Sequence, residues 1–281
     1  ETLPPPNILW ISTEDISPYL ASYGDSTIQT PNLDRLANEG VLFENCFATT
    51  GQCAPSRHSI ITGMHSTATS GSNMRTGGRQ FPDSIRCFPF YLNDAGYYCT
   101  NNFKTDYNFS EPEHASLWDE LSKSAHWKNR PAGSPFFAVF NRHETHESHI
   151  NQDKPLGVES GAVTIPPYYP DTEKVRRDLA RNYTNILELD SIVGDYLAEI
   201  EQAGLLDSTI IVFWSDHGGP LPRQKREIHE SGTRVPMLVR LPNQQFAGTR
   251  IRNMVSLLDI GPTMLSLAGL PTPGNMHGKA F

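Results

Sequence analysis

The chain has 281 residues, of which 37% are hydrophobic and 19% charged, and its formal net charge is -8. This length and composition describe a globular chain with one large domain and a substantial core. The acidic balance argues against a nucleic-acid binder, which carries a basic footprint, and no apolar run reaches the length of a membrane span.

In chain order, residues 7–12 follow a proline cluster and form a continuous apolar run, the pattern of a buried parallel strand. Residues 30–40 predict a helix with Thr30 as cap, Pro31 at the first helical position and Gly40 as stop. Residues 41–47 return as a strand, and 56–62 form a short helix opened by Pro55 and Ser56. Residues 89–95 predict a helix stopped by Gly96, followed by a strand over 97–101. The next strand covers 136–140, and a long helix runs from 172 to 203, ended by Gly204. Its apolar residues, among them Leu179, Tyr183, Ile186, Val193, Leu197 and Ile200, recur at helical spacing and predict a core-facing stripe without chemistry. Strands over 209–214 and 236–241 and a last helix over 259–268 complete the pattern. The segment 141–169 is rich in His, Pro and Gly and has no period, which suits a long excursion near a site.

Strands alternating with helices predict an α/β fold: a mostly parallel sheet sandwiched by helices, with residues 1–281 as one domain. Ligands in such folds sit beyond the carboxyl ends of the strands. Three of the predicted strands end in polar clusters there. Residues 7–12 lead to Glu14 and Asp15, 136–140 to Asn141 through His146, and 209–214 to Ser215, Asp216 and His217. Carboxylates gathered at one edge repel one another unless a cation binds, and hard oxygen ligands suit Ca²⁺ or Mg²⁺. Taken singly, Glu14, Asp15 and Asp216 read as helix caps or turn residues rather than as ligands. Cys53 taken singly reads as a small buried hydrophobe. The other cysteines are Cys46, Cys87 and Cys99, too few for a disulfide-rich scaffold.

Together these parts carry more. Cys53-Ala54-Pro55-Ser56-Arg57, running on to Thr62-Gly63, resembles the core signature of the type I, formylglycine-dependent sulfatases of the alkaline-phosphatase-like superfamily. The resemblance runs from Pro6 to about Phe281 and includes Asn7-Ile8-Leu9, Tyr23-Gly24, Thr30-Pro31-Asn32-Leu33-Asp34 and Ser215-Asp216-His217-Gly218. It is nearest the heparan N-sulfatase-like branch, on Pro135-Phe136-Phe137, His143-Glu144-Thr145-His146 and Gly232-Thr233-Arg234-Val235-Pro236. It implies an α/β/α catalytic domain, with a smaller antiparallel C-terminal subdomain expected beyond the end of this chain.

The resemblance also implies roles. Cys53 matches the residue oxidised to Cα-formylglycine, a covalent change that supplies an aldehyde. Glu14, Asp15, Asp216, His217 and position 53 match the metal ligands. Arg57 matches the arginine on the aldehyde hydrate, Lys104 and Lys225 the lysines on the sulfate, and His146 a histidine near the ester oxygen. The chain departs from the family at Glu14, where Asp is usual, and at Lys104-Thr105-Asp106, where Lys-x-His is common. His146 is then the expected acid and Asp106 a candidate substrate contact, with Arg75 and His229 as further specificity candidates. Ca²⁺ is the expected ion, with Mg²⁺ as the alternative.

In the implied mechanism one hydroxyl of the hydrate, with Asp216 as base, attacks sulfur. Lys104 and Lys225 neutralise the sulfuryl oxygens, His146 protonates the leaving group, and loss of a proton from the second hydroxyl expels sulfate. A local cluster of cations would reconcile the acidic chain with an anionic substrate. The implied partners are a sulfated oligo- or polysaccharide, O- or N-sulfated, and a formylglycine-generating enzyme. The implied compartment is periplasmic, extracellular or lysosomal-type secretory. Two other readings stay open: a phosphodiester or phosphonate monoester hydrolase of the same superfamily, and a catalytically silent homologue that binds sulfated glycans.

Overall fold

The computed structural model describes residues 4–75, 84–110 and 116–281. Its frame is a nine-stranded sheet. At the centre lies β1 (Asn7–Thr13), and every one of its residues is buried. The remaining strands are β2 (Val41–Phe47), β3 (Tyr98–Asn102), β4 (Glu120–Ser122), β5 (Phe136–Asn141), β6 (Thr209–Ser215), β7 (Arg234–Val235), β8 (Met237–Arg240) and β9 (Thr249–Ser256). The order is β4-β3-β5-β1-β6-β8-β2-β7, and β9 also pairs with β2. From β4 to β6 all pairings are parallel, so the carboxyl ends of β3, β5, β1 and β6 share one edge. The β8 strand turns antiparallel against β6 and β2, while β9 runs parallel to β2.

Both faces of the sheet are covered, which is why its central strands are apolar throughout rather than alternating. On one face Ile8 and Trp10 pack with Phe137, Val212 and Trp214 under α2 (Cys53–Thr62) and α3 (Phe88–Asp94). The Trp10 ring lies 5.1 Å from Phe88 and 5.2 Å from Phe137, centroid to centroid. On the other face Leu9, Ile11, Phe136 and Phe213 meet α1 (Pro31–Glu39) and the long α4 (Glu173–Gln202). The short α5 (Glu230–Thr233) and α6 (Ile260–Leu267) complete the helices among the described residues, and none of them is long and apolar enough to cross a membrane. All four cysteines are buried.

Three local expectations are corrected. Thr30 makes no side-chain cap on α1; Asp190 of α4 accepts from Leu33 N at 2.8 Å and from Asn32 N at 3.3 Å instead, placing a carboxylate at the helix N-terminus from a distant element. The helix at the cysteine begins at Cys53 with Gln52 as cap, not at Ser56, so Pro55 sits in the first turn, where its missing N–H costs nothing. The strand expected over 236–241 is the shorter β8, and Pro236 separates it from β7, which precedes the expected range; the register against β2 shifts across the break. Gly204 ends α4 in the left-handed conformation (φ 69°). Gly40 ends α1 for another reason: a Cβ there would stand 2.4 Å from the Val239 carbonyl oxygen.

Candidate active site

Four neighbouring strand ends deliver most of the site. The β3 end leads to Lys104, β5 to Asn141 and on to His146, β1 to Glu14 and Asp15, and β6 to Asp216 and His217. The N-terminus of α2 adds Cys53 and Arg57. Ser56, expected as a cap, instead donates from its hydroxyl to the Asp216 carbonyl oxygen at 2.6 Å and pins α2 to the end of β6.

The floor is an ion-pair network closed to solvent. Asp216 is 0% and Arg57 1% exposed. Arg57 Nε donates to Asp216 Oδ2 at 3.0 Å and Nη1 donates to Asn141 Oδ1 at 2.8 Å. The Ser12 hydroxyl donates to the same Asn141 oxygen at 2.5 Å, and Asn141 Nδ2 donates to the Lys104 carbonyl at 2.8 Å. Arg57 Nη2 is buried without a hydrogen-bond partner among the described residues. Burial alone would raise the Asp216 carboxyl; His217 and Arg57 outweigh it and hold it well below the usual carboxylate range.

Two further carboxylates stand beside it. Asp15, in the left-handed region at φ 55°, accepts from Lys225 Nζ at 2.8 and 3.1 Å and from Glu147 N at 2.7 Å. Burial works against the Lys225 ammonium, but Asp15 raises its pKa above the ordinary value. Glu14, 3% exposed, is ion-paired with Lys104. Lys104 Nζ also lies 3.3 Å from Asp106, which Arg75 grips through two bonds of 3.0 Å.

The two histidines are oriented by what they touch. His217 Nδ1 lies 2.9 Å from the Gly218 carbonyl, a contact that places a proton on Nδ1. Its Nε2 is 3.1 Å from Cys53 Sγ and 3.2 Å from Asp15 Oδ1. His146 Nδ1 accepts from Ser148 N at 3.2 Å, so its proton resides on Nε2. Burial lowers the His146 pKa, against the pull of Asp15, and keeps the ring neutral.

A divalent cation fits this donor set. Ligand atoms of Asp15, Cys53 and His217 lie within 4.8 Å of one another, as do those of Glu14, Cys53 and His146. Glu14 and Asp15 are the buried carboxylates of the two clusters, each paired with a lysine whose place a bound cation would contest. The hydrogen bond from His217 to Gly218 is the outer-shell contact that fixes a ligating imidazole. Carboxylate oxygens favour a hard ion, Ca²⁺ or Mg²⁺, and the imidazole softens the set slightly.

Above the floor opens a cleft of about 140 Å³ lined by Gln52, Cys53, Met74, Arg75, His146, Glu147, Lys225 and Arg226. The structure therefore brings together Glu14, Asp15, Cys53, Arg57, Lys104, His146, Asp216, His217 and Lys225, with Arg75 and Asp106 at the mouth. It does not bring His229 to them: that residue is exposed, heads α5 and lies outside the cleft lining. Sequence reading missed Ser12, Asn141, Glu147 and Arg226. The signal for Asn141 was there, a polar residue ending an apolar strand. Glu147 and Arg226, paired through bonds of 2.5 and 2.8 Å, had none beyond adjacency to His146 and Lys225.

A sulfatase family profile matches residues 6–270. The chain belongs to the sulfatase family. It is 41% identical to an ulvan-active sulfatase of Formosa agariphila, over 98% of this chain and 54% of the relative. To human N-sulphoglucosamine sulphohydrolase this sulfatase chain is 29% identical, over 96% of itself and 62% of the relative. It thus spans little more than half the length of these relatives. Among solved structures, one in complex with its substrate D-glucosamine-2-N,6-O-disulfate superposes with a TM-score of 0.76 at 21% identity, covering 98% of this chain and 79% of the other. That likeness supports the fold read from the strand order.

Proposed function

We propose that this sulfatase chain hydrolyses sulfate esters or sulfamates of a sulfated carbohydrate, with position 53 carried as Cα-formylglycine beside a divalent cation. The observation that carries the reading is the place of Cys53: it belongs to both donor clusters, opens α2 and faces the cleft. Hydrated, the aldehyde supplies an oxygen nucleophile and a second hydroxyl whose deprotonation releases sulfate. Glu14, Asp15, Asp216 and His217 would hold the cation, Ca²⁺ in preference to Mg²⁺, which when bound would supply positive charge to the reaction.

The chain's own residues divide the remaining work. Arg57, fixed by Asp216, Asn141 and Ser12, holds the hydroxyls in one orientation. Asp216, kept ionised, accepts the nucleophile's proton. Lys104 and Lys225 place two ammonium groups where charge grows on the sulfuryl oxygens. His146 presents Nε2–H to the departing oxygen or nitrogen, and its imidazolium form is the one that would supply the proton. Asp106 and Arg75, at the mouth, are placed to contact the sugar. Similarity to an ulvan-active sulfatase and to a sulphoglucosamine sulphohydrolase supports a sulfated saccharide as substrate. A secretory compartment (periplasmic, extracellular or lysosomal) and a formylglycine-generating partner belong to the same reading.

The test is mass spectrometry of the Cys53 peptide after co-expression with a formylglycine-generating enzyme, followed by sulfate release from ulvan fragments, N-sulfated glucosamine and an aryl sulfate, beside phosphate-type release from an aryl phosphonate. Aldehyde at position 53 and release of sulfate are expected, with Ca²⁺ raising the melting temperature of the same sample. Aldehyde-bearing protein that cleaves only the phosphonate overturns the proposal.

A further inference from the structure

A second groove, of about 290 Å³, opens at the ends of β3 and β5 and is lined by Asn102, Phe103, Lys123, Asn141, Arg142 and His143. We infer that it is a saccharide subsite for the sugar next to the one that loses sulfate, and that this neighbouring sugar carries an anionic group, carboxylate or sulfate. The inference rests on the sulfatase reading of the main site and adds the length and charge of the substrate.

Phe103 is the first reason. Its ring is 45% exposed, and its backbone stands at φ 72°, where a bulky residue is strained. Neither feature helps folding, and together they hold a flat apolar face toward solvent. His143 packs on that ring at 5.7 Å between centroids, and Lys123 Nζ stands 4.9 Å from the ring centre.

The second reason is the state of the nearby cations. Arg142 is paired with Glu144 and Lys128 with Glu199, whereas Lys123 has no carboxylate partner among the described residues. Its loop is nevertheless held in place, because Asn102 Nδ2 donates to the Lys123 carbonyl at 2.7 Å. An exposed aromatic face suits the C–H face of a sugar ring. An ammonium beside it that has no carboxylate partner among the described residues suits an anionic substituent.

Third, the groove is joined to the catalytic floor. Asn141 lines it, accepts from Arg57 at 2.8 Å and donates to the Lys104 carbonyl at 2.8 Å. Phe103 immediately precedes Lys104, and His146 N donates to the His143 carbonyl at 3.0 Å. From Arg75 in the cleft lining, Asp106 and Lys104 follow by ion pairs of 3.0 and 3.3 Å, and Phe103 precedes Lys104, so a chain of sugars running along them would meet Phe103 and Lys123 next.

The experiment compares steady-state kinetics of the matured full chain on sulfated tetrasaccharides of ulvan and heparin with those on a small aryl sulfate. Phe103→Gly removes the ring while relaxing the left-handed backbone, and Lys123→Gln removes the charge. For each variant the KM of at least one tetrasaccharide is expected to rise about tenfold. Its kcat, and kcat/KM on the aryl sulfate, should move by less than about twofold, and Phe103→Tyr should restore the parent KM. Equal losses on both substrate sizes, or no loss on either tetrasaccharide, overturn the subsite. Should the parent turn over none of these substrates, the main reading fails, and calorimetric tetrasaccharide binding decides the subsite: weaker binding by both variants upholds it, and unchanged or absent binding overturns it.

Discussion

The floor of the cleft and its mouth are built from the same chemistry, arginine and lysine against carboxylate, yet they differ in kind. On the floor, Arg57 and Asp216 are 1% and 0% exposed, and strand ends and a helix hold them from below. At the mouth, the Arg75 and Arg226 side chains are 62% and 57% exposed, and their backbones stand at φ 50° and 72°. Buried pairs are costly to break because the survivor stays in low dielectric; exposed pairs are nearly free to exchange for a ligand. The floor is thus suited to hold a reacting geometry fixed, and the mouth to trade partners with a substrate.

Breaking the floor should cost most. Arg57→Ala leaves the Asp216 carboxylate buried without its guanidinium and is expected to lower unfolding free energy by about 3–5 kcal/mol in urea titration. A loss below about 1 kcal/mol, the scale of an exposed pair, would erase the contrast with the mouth. Next comes Lys104, which sits between the two regions at 16% side-chain exposure. Lys104→Ala should reduce kcat/KM by about 2–4 kcal/mol of transition-state binding, and it should also lower the melting temperature, because it leaves the buried Glu14 carboxylate without its ammonium. Unchanged kcat/KM would remove Lys104 from the sulfate.

The smallest effect belongs to the mouth. Arg226→Ala should shift stability by about 1 kcal/mol or less. Hydrogen bonds from Arg226, aided by Lys225, hold the Glu147 carboxyl down at about 2, against an ordinary 4.5. Because the unfolded chain binds this proton more readily, stability rises with pH across that interval. The contribution is complete above about pH 4.5 and fades as pH falls toward 2. Urea midpoints from pH 5 to 2 should therefore decline less steeply in Glu147→Gln than in the parent; parallel slopes would show that the pair does not set the acid limb.

Legibility in the sequence followed the same division. The strands β1, β5 and β6 were readable because burial on both faces leaves unbroken apolar runs, and their polar ends pointed to Glu14, Asp15, Asp216 and His217. The Cys53 segment was readable as a motif. What escaped depends on contacts between distant segments. Asp190 caps α1 from a helix 157 residues further along the chain than Leu33. The β9 strand is mostly exposed and polar and offers no alternation to detect. Arg226 reaches the cleft only through a left-handed loop, and His229 falls outside it although it lies only three positions further on.

The complete burial of α2 imposes a chronology. All ten residues of this helix, Cys53 first among them, are enclosed once the sheet has closed. An enzyme that must grasp the peptide around Cys53 to oxidise it has no path to a finished molecule. On the proposed chemistry, oxidation and folding are then competitors in time. A copy that collapses before its sulfur is exchanged for oxygen keeps its native shape and stays inert for its lifetime, so the active fraction in a cell reports a race won during synthesis rather than an equilibrium reached afterwards.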